Sequence, residues 1–176
     1  MKFFIIIFTS ILYSNVELII GEERIEPGIV FIFEGAIKDH IMPKNMHLSE
    51  AHTNVHIEAR VNWDIIDIPK AAPKGGFIPY LHINALIKNQ KTGLQTFIDL
   101  VPHINLIDNF HYARNIALPG SEYDLYSVTF NVSDPTYIDL AYHKDWIDTY
   151  GEVILKNKVF SYENIFFGDI CKASRY

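Results

Sequence analysis

The sequence predicts an all-β protein built from two packed sheets, and three observations carry that prediction. Short runs rich in β-branched and aromatic residues recur along the chain, several of them with period-2 alternation. Proline and glycine fall between these runs, at Pro69, Pro73, Gly75, Gly76, Pro119, Gly120 and Pro135. No sustained helical periodicity, internal repeat or low-complexity linker competes with the pattern. Several short strands in one chain of 176 residues favour a sandwich.

The first stretch reads as an address and not as structure. Lys2 precedes Phe3 to Phe8, and the apolar run continues to Ile11 and Leu12, the layout of a signal peptide over residues 1–14. The cut falls after Ser14 or as late as Gly21, and an uncleaved anchor is the alternative. The run is short for a membrane span, and Asn15 and Glu17 interrupt it.

A single domain is expected over residues 25–168. Ile29 to Phe33 is too short for a helix and rich in β-formers. Asn54 to Val61 alternates strictly, with Val55, Ile57, Ala59 and Val61 on one face and Asn54, His56, Glu58 and Arg60 on the other. Tyr80 to Lys88, the polar turn 89–93 and Thr96 to Val101 make a hairpin with a longer loop. Tyr123 to Ser133 alternates again, and Val159 to Phe167 closes the series. Residues 169–176 read as a polar tail holding the one cysteine, Cys171, as a bystander.

Composition removes several function classes. The 21 acidic residues exceed the 15 basic ones, a net charge of −6, which argues against a nucleic-acid partner. One cysteine excludes an internal disulfide, a cysteine zinc finger and an iron–sulfur cluster. Against it stand eight histidines, so any metal here is held by nitrogen and oxygen. A His-Glu-x-x-His helix, a Gly-x-Ser-x-Gly elbow and a phosphate-binding glycine loop are all missing.

The histidines are placed suggestively. His56 and Glu58 lie two apart on a strand, so their side chains leave the same face, which makes half a metal site or simply a polar strand surface. His103 and His111 flank a strand end and a loop, where Asp108 could ligate, orient His111 or serve only the turn. His143 stands apart. His40, His47, His52 and His82 read as surface or locally hydrogen-bonded residues.

Six ordered segments resemble the bacterial Fe2+ transport family of periplasmic, copper-binding proteins associated with iron permeases. Val55-His56-Ile57-Glu58-Ala59 resembles its Ile-His-Leu-Glu-Ala strand, and Gly76 to Leu81 its Gly-Phe-Trp-Met-Pro-Tyr-Leu, shorter by one. Leu100-Val101-Pro102-His103 stands where the family has Leu-Met-Pro-Met. Asp108 to Tyr112, with Asn115-Ile116, resembles Asp-Gly-Pro-His-Tyr-Gly-Ala-Asn-Ile. Tyr126 to Pro135 is similar to its Leu-Thr-Phe-Tyr-Ile-Ser-Asn-Pro strand, and His143-Lys144-Asp145 with Gly151 to its His-Val-Asp and downstream Gly.

The resemblance, over residues 28–168, implies an immunoglobulin-like β-sandwich, a homodimer and copper bound near the subunit interface. It also implies the ligand set His56, Glu58, His103, Asp108, His111 and His143, with Met42 as a further family methionine in uncertain register. Two departures stand out: His103 takes a methionine position, and the Trp after the downstream Gly is missing. Imidazole in place of a thioether suits Cu(II), Zn(II) or Fe(II) better than Cu(I). The expected function is an exported, non-enzymatic binder of copper, with iron or zinc as further candidates, working beside a membrane iron permease. Its expected place is the periplasm in a bacterium and the extracellular space otherwise. The alternative is a secreted immunoglobulin-like adhesion or protein-binding module whose histidines are incidental.

Overall fold

A computed structural model describes residues 17–174 of the chain. The expected signal peptide lies outside the described residues. The described residues form eight strands: β1 (Leu18–Ile25), β2 (Ile29–Ala36), β3 (Val55–Trp63), β4 (His82–Asn89), β5 (Gln95–Asn105), β6 (Asn109–Ile116), β7 (Leu125–Ser133) and β8 (Lys158–Phe166). Two short helices, α1 (Lys144–Tyr150) and α2 (Gly168–Lys172), flank β8. The all-β expectation is met, and every strand pairing is antiparallel.

The strand order is β1-β2-β3-β6-β5-β4-β7-β8. One long strand joins two sheets. Gln95 to Leu100 of β5 pair with β4, and Val101 to Asn105 pair with β6. Pro102 sits just past the handover, where a residue without an N–H interrupts regular pairing at little cost. The inner faces meet in an apolar core. Phe31 and Phe33 of β2 pack across it, Phe33 stacking on Phe130 of β7 at 4.1 Å and Phe31 lying 5.3 Å from Phe160 of β8. Such aromatic pairs add roughly 0.5–1.5 kcal/mol each beyond the area they bury.

The terminal strands β1 and β8 face each other across a seam. Gly21 backs onto the Tyr162 ring so closely that any β-carbon there would collide with it. The Tyr162 hydroxyl donates to Glu23 at 3.0 Å. β1 starts upstream of the domain boundary expected at residue 25, and a cut near Gly21 would remove half of it, whereas a cut after Ser14 leaves it whole. Its Gly-Glu-Glu-Arg stretch hides the strand from a periodicity reading.

The C-terminal stretch read as a polar tail folds as α2 and buries Ile170. Among the described residues no helix is long and apolar enough to cross a membrane. Cys171 is half-buried on this helix, and desolvation pushes its thiol up to about 11. Only the thiolate alkylates, so at pH 8 iodoacetamide should modify Cys171 roughly 100-fold more slowly than an unperturbed cysteine. Mass spectrometry over time checks this; labelling at the rate of a free thiol would show that α2 does not stay docked.

Candidate metal centre

Strand β3 is buried on both faces. Its Val55, Ile57, Ala59 and Val61 enter the core, while His56 and Glu58 on the opposite face are only 2% and 4% exposed. The register explains what gathers beside them. His56 faces Asn115, Glu58 faces Ala113, and one strand further on His111 faces His103. Directly paired residues share a face, so β3, β6 and β5 present His56, Glu58, His111 and His103 together. One ring nitrogen each from His56, His103 and His111 lies within 4.8 Å of the others. Donors around one ion at bonds of about 2 Å sit roughly 3–4 Å apart, so small side-chain movements suffice to close on it.

Hydrogen bonds fix which nitrogen each ring offers. The Asn115 side-chain amide donates to the backbone carbonyls of Asp39 (2.8 Å) and Leu48 (3.0 Å), which leaves Oδ1 as its acceptor. Oδ1 is 2.8 Å from His56 Nδ1, so that nitrogen carries the proton and Nε2 the lone pair. His56 Nε2 lies 3.6 Å from Glu58 Oε1, so imidazole and carboxylate address one point. On β6, His111 Nδ1 donates to the carbonyl of Asn109 at 3.1 Å, which again puts the lone pair on Nε2.

His103 is held neutral. Desolvation, then the neighbouring His56, His47 and His111 rings and Arg114, drive it down to about 3. Among the described residues its Nε2 is buried without a hydrogen-bond partner. A buried polar atom in that condition costs about 1–3 kcal/mol, which a bond to a cation offsets. This orphaned nitrogen beside two oriented imidazoles and a carboxylate is the observation that fits a metal. The donor set of imidazole and carboxylate suits copper(II), zinc or ferrous iron.

The other residues expected at the site divide. Asp108 lies in the β5–β6 turn, where it accepts from Asn105 Nδ2 at 2.8 Å and donates its own N–H to Asn105 Oδ1. It also stands 4.0 Å from Arg60. The turn reading therefore holds for it, and the carbonyl of Asn109 orients His111 instead. His143 is exposed at the N-terminal end of α1 and does not line the cavity.

Four residues at the site lie outside the expected ligand set. His47 belongs to the connection 37–54 between β2 and β3, and its ring packs edge-on against His103 at 5.1 Å, contrary to the surface role expected of it. Asn115 was noticed only as part of a motif. Met42, the further family methionine of the resemblance, and Met46 both line the cavity of about 450 Å³ above the histidines, so sulfur is present at the site beside the imidazoles. His52 and His82 match their reading, held by Ser49 and Asp139. Beside the site Arg60 donates to the buried Glu34 at 2.6 Å; burial raises that carboxyl and Arg60 opposes it.

An antiparallel β protein with oriented imidazoles under a covering loop belongs to the class built to hold a metal ion. The chain is a member of the Fe2+ transport protein family, which it matches over residues 14–168. Among solved structures it is similar to FetP of uropathogenic Escherichia coli strain F11, at 24% identity and TM-score 0.70 over 86% of this chain and 96% of that one. It is equally similar to a copper-bound variant of Campylobacter jejuni P19, at 24% identity and TM-score 0.70 over 85% and 96%. The copper-reconstituted P19 protein matches at 24% identity and TM-score 0.69 over 84% and 94%. Comparison with curated proteins gives no match.

The ring assignments can be checked without any metal. In long-range proton–nitrogen spectra of the metal-free protein, His56 and His111 should appear as the Nδ1–H tautomer. At pH 5 His103 should remain neutral, where a histidine of ordinary pKa near 6.5 is almost fully protonated. A protonated His103 at that pH would mean the ring is solvated and the site open.

Proposed function

We propose that this chain is an exported, non-enzymatic metal-binding protein that captures copper, or iron in the same site, and assists its import. The observation that carries the reading is the trio of buried His56 and His111 with half-buried His103, the orphaned Nε2 of His103 and the carboxyl group of Glu58 beside it. The family is named for Fe2+ transport, and the similar P19 structures are described as copper-bound. Imidazole nitrogens supply strong donation to Cu(II), Glu58 adds a hard oxygen, and the Met42 and Met46 thioethers at the cavity offer a soft donor to Cu(I). Zinc is a competitor for the same nitrogens.

Export to the periplasm, or the extracellular space, follows from the signal-like N-terminus, and a membrane iron permease is the partner proposed downstream. The proposed assembly is a homodimer. Ile104, Leu106, Ile107 and Phe110 of the β5–β6 hairpin are exposed apolar side chains next to the site, the kind of surface a two-fold contact covers.

Two measurements test this. Calorimetric titration with Cu(II) should give stoichiometric binding that weakens by more than about 100-fold in a His56→Gln, His111→Gln double variant whose circular dichroism is unchanged. Equal affinity in the two proteins would remove the site. Sedimentation equilibrium should give twice the chain mass, with or without metal; a monomer at micromolar concentration would dissolve the dimer while leaving the metal site standing.

A further inference from the structure

The shortest ring separation in the histidine cluster belongs to a pair that no strand register enforces. His47 and His103 lie 5.1 Å apart, against 5.3 Å for His56 and His103 and 5.9 Å for His103 and His111. Three buried side-chain polar atoms lack a hydrogen-bond partner among the described residues, and two of them are on these two rings: His47 Nδ1 and His103 Nε2. Facing imidazoles that satisfied each other would share a hydrogen bond. These do not, and each nitrogen is held out of water at a cost.

The loop that carries His47 is tied to the site by the same side chain that orients His56. Asn115 accepts from His56 Nδ1 and donates to the carbonyl of Leu48, the residue after His47. His47 is thus placed at the site from the loop side, as His56 is from the strand side.

We propose that His47 is a metal ligand, so that one chain supplies four imidazoles, three from strands and one from the loop that covers them. This rests on the metal-binding reading above. His47 lies outside the trio whose nitrogens are within 4.8 Å of one another, so its ring must turn inward as the ion binds. A partly exposed side chain on a loop can make that rotation, whereas the His56 and His111 rings are held by their hydrogen bonds.

The test uses the full-length mature protein loaded with one equivalent of Cu(II), alone and as His47→Ala, His47→Gln, His143→Ala and His82→Ala variants. Pulsed electron paramagnetic resonance counts the coordinated imidazoles, and competition with a chelator reads affinity. Four imidazoles are expected in the parent and three in both His47 variants, with affinity reduced at least about tenfold. His82→Ala, changed at a surface pair with Asp139, should match the parent. Parent-like spectra and affinity in both His47 variants would overturn the proposal while leaving the strand-borne site intact. Loss of the fourth imidazole in His143→Ala but not in the His47 variants would also overturn it, and would assign that donor to a second copy of the chain. A parent protein that takes up no stoichiometric copper would defeat this proposal and the reading beneath it together.

Discussion

One amide holds the polar half of this molecule in place. Asn115 spends its two N–H groups on backbone carbonyls of the connection 37–54 and its oxygen on His56. Those three bonds close the loop over β3, choose the tautomer of His56 and bring His47 beside His103. A strand buried on both faces requires such a partner, because a polar face away from water must find its hydrogen bonds within the protein. Two further polar residues of that face follow the same rule: Glu34 is answered by Arg60, and His111 by a carbonyl two residues back.

The donors are prepared electrostatically as well as geometrically. Grouping several imidazoles in a dry pocket makes protonation of any one expensive, since burial and the neighbouring rings act in the same direction. His103, in the middle of the group, feels this most. Arg60 adds positive charge nearby, and Glu34 largely neutralises it within the sheet. The site therefore offers a cation a neutral His103 with the carboxyl group of Glu58 beside the neighbouring His56.

Local patterning was enough to read most strands, because alternation is a property of neighbours in sequence. Val55 to Val61 announced both its core face and the polar face that carries His56 and Glu58, and the hairpin through 80–101 was legible from its turn. His103 and His111 could be suspected together since a short turn joins them, and the register makes them direct partners. What stayed hidden depends on distant packing. β1 hides its alternation behind charged residues and the apolar run before it, and α2 declares itself only through the burial of Ile170. His47 sits in an irregular loop with no period to place it, so nothing local shows that Asn115, far along the chain, draws it to the site. Asp108 was ambiguous for the opposite reason: an acidic residue three before a histidine is as good a turn former as a ligand, and in the structure it is tied into the turn by the Asn105 side chain.

The seam between β1 and β8 has a consequence for how such a protein can associate. An antiparallel sheet ends in two strands whose outward N–H and C=O groups invite another chain to pair. Here the two ends of the series are turned toward each other, with the Tyr162 ring lodged against Gly21 and its hydroxyl on Glu23. At that contact another strand cannot pair without displacing the ring, which hinders growth by strand addition, the route to fibres and indiscriminate aggregates. Contacts with other molecules are thereby left to side chains on the sandwich surface, where shape and charge can select among them.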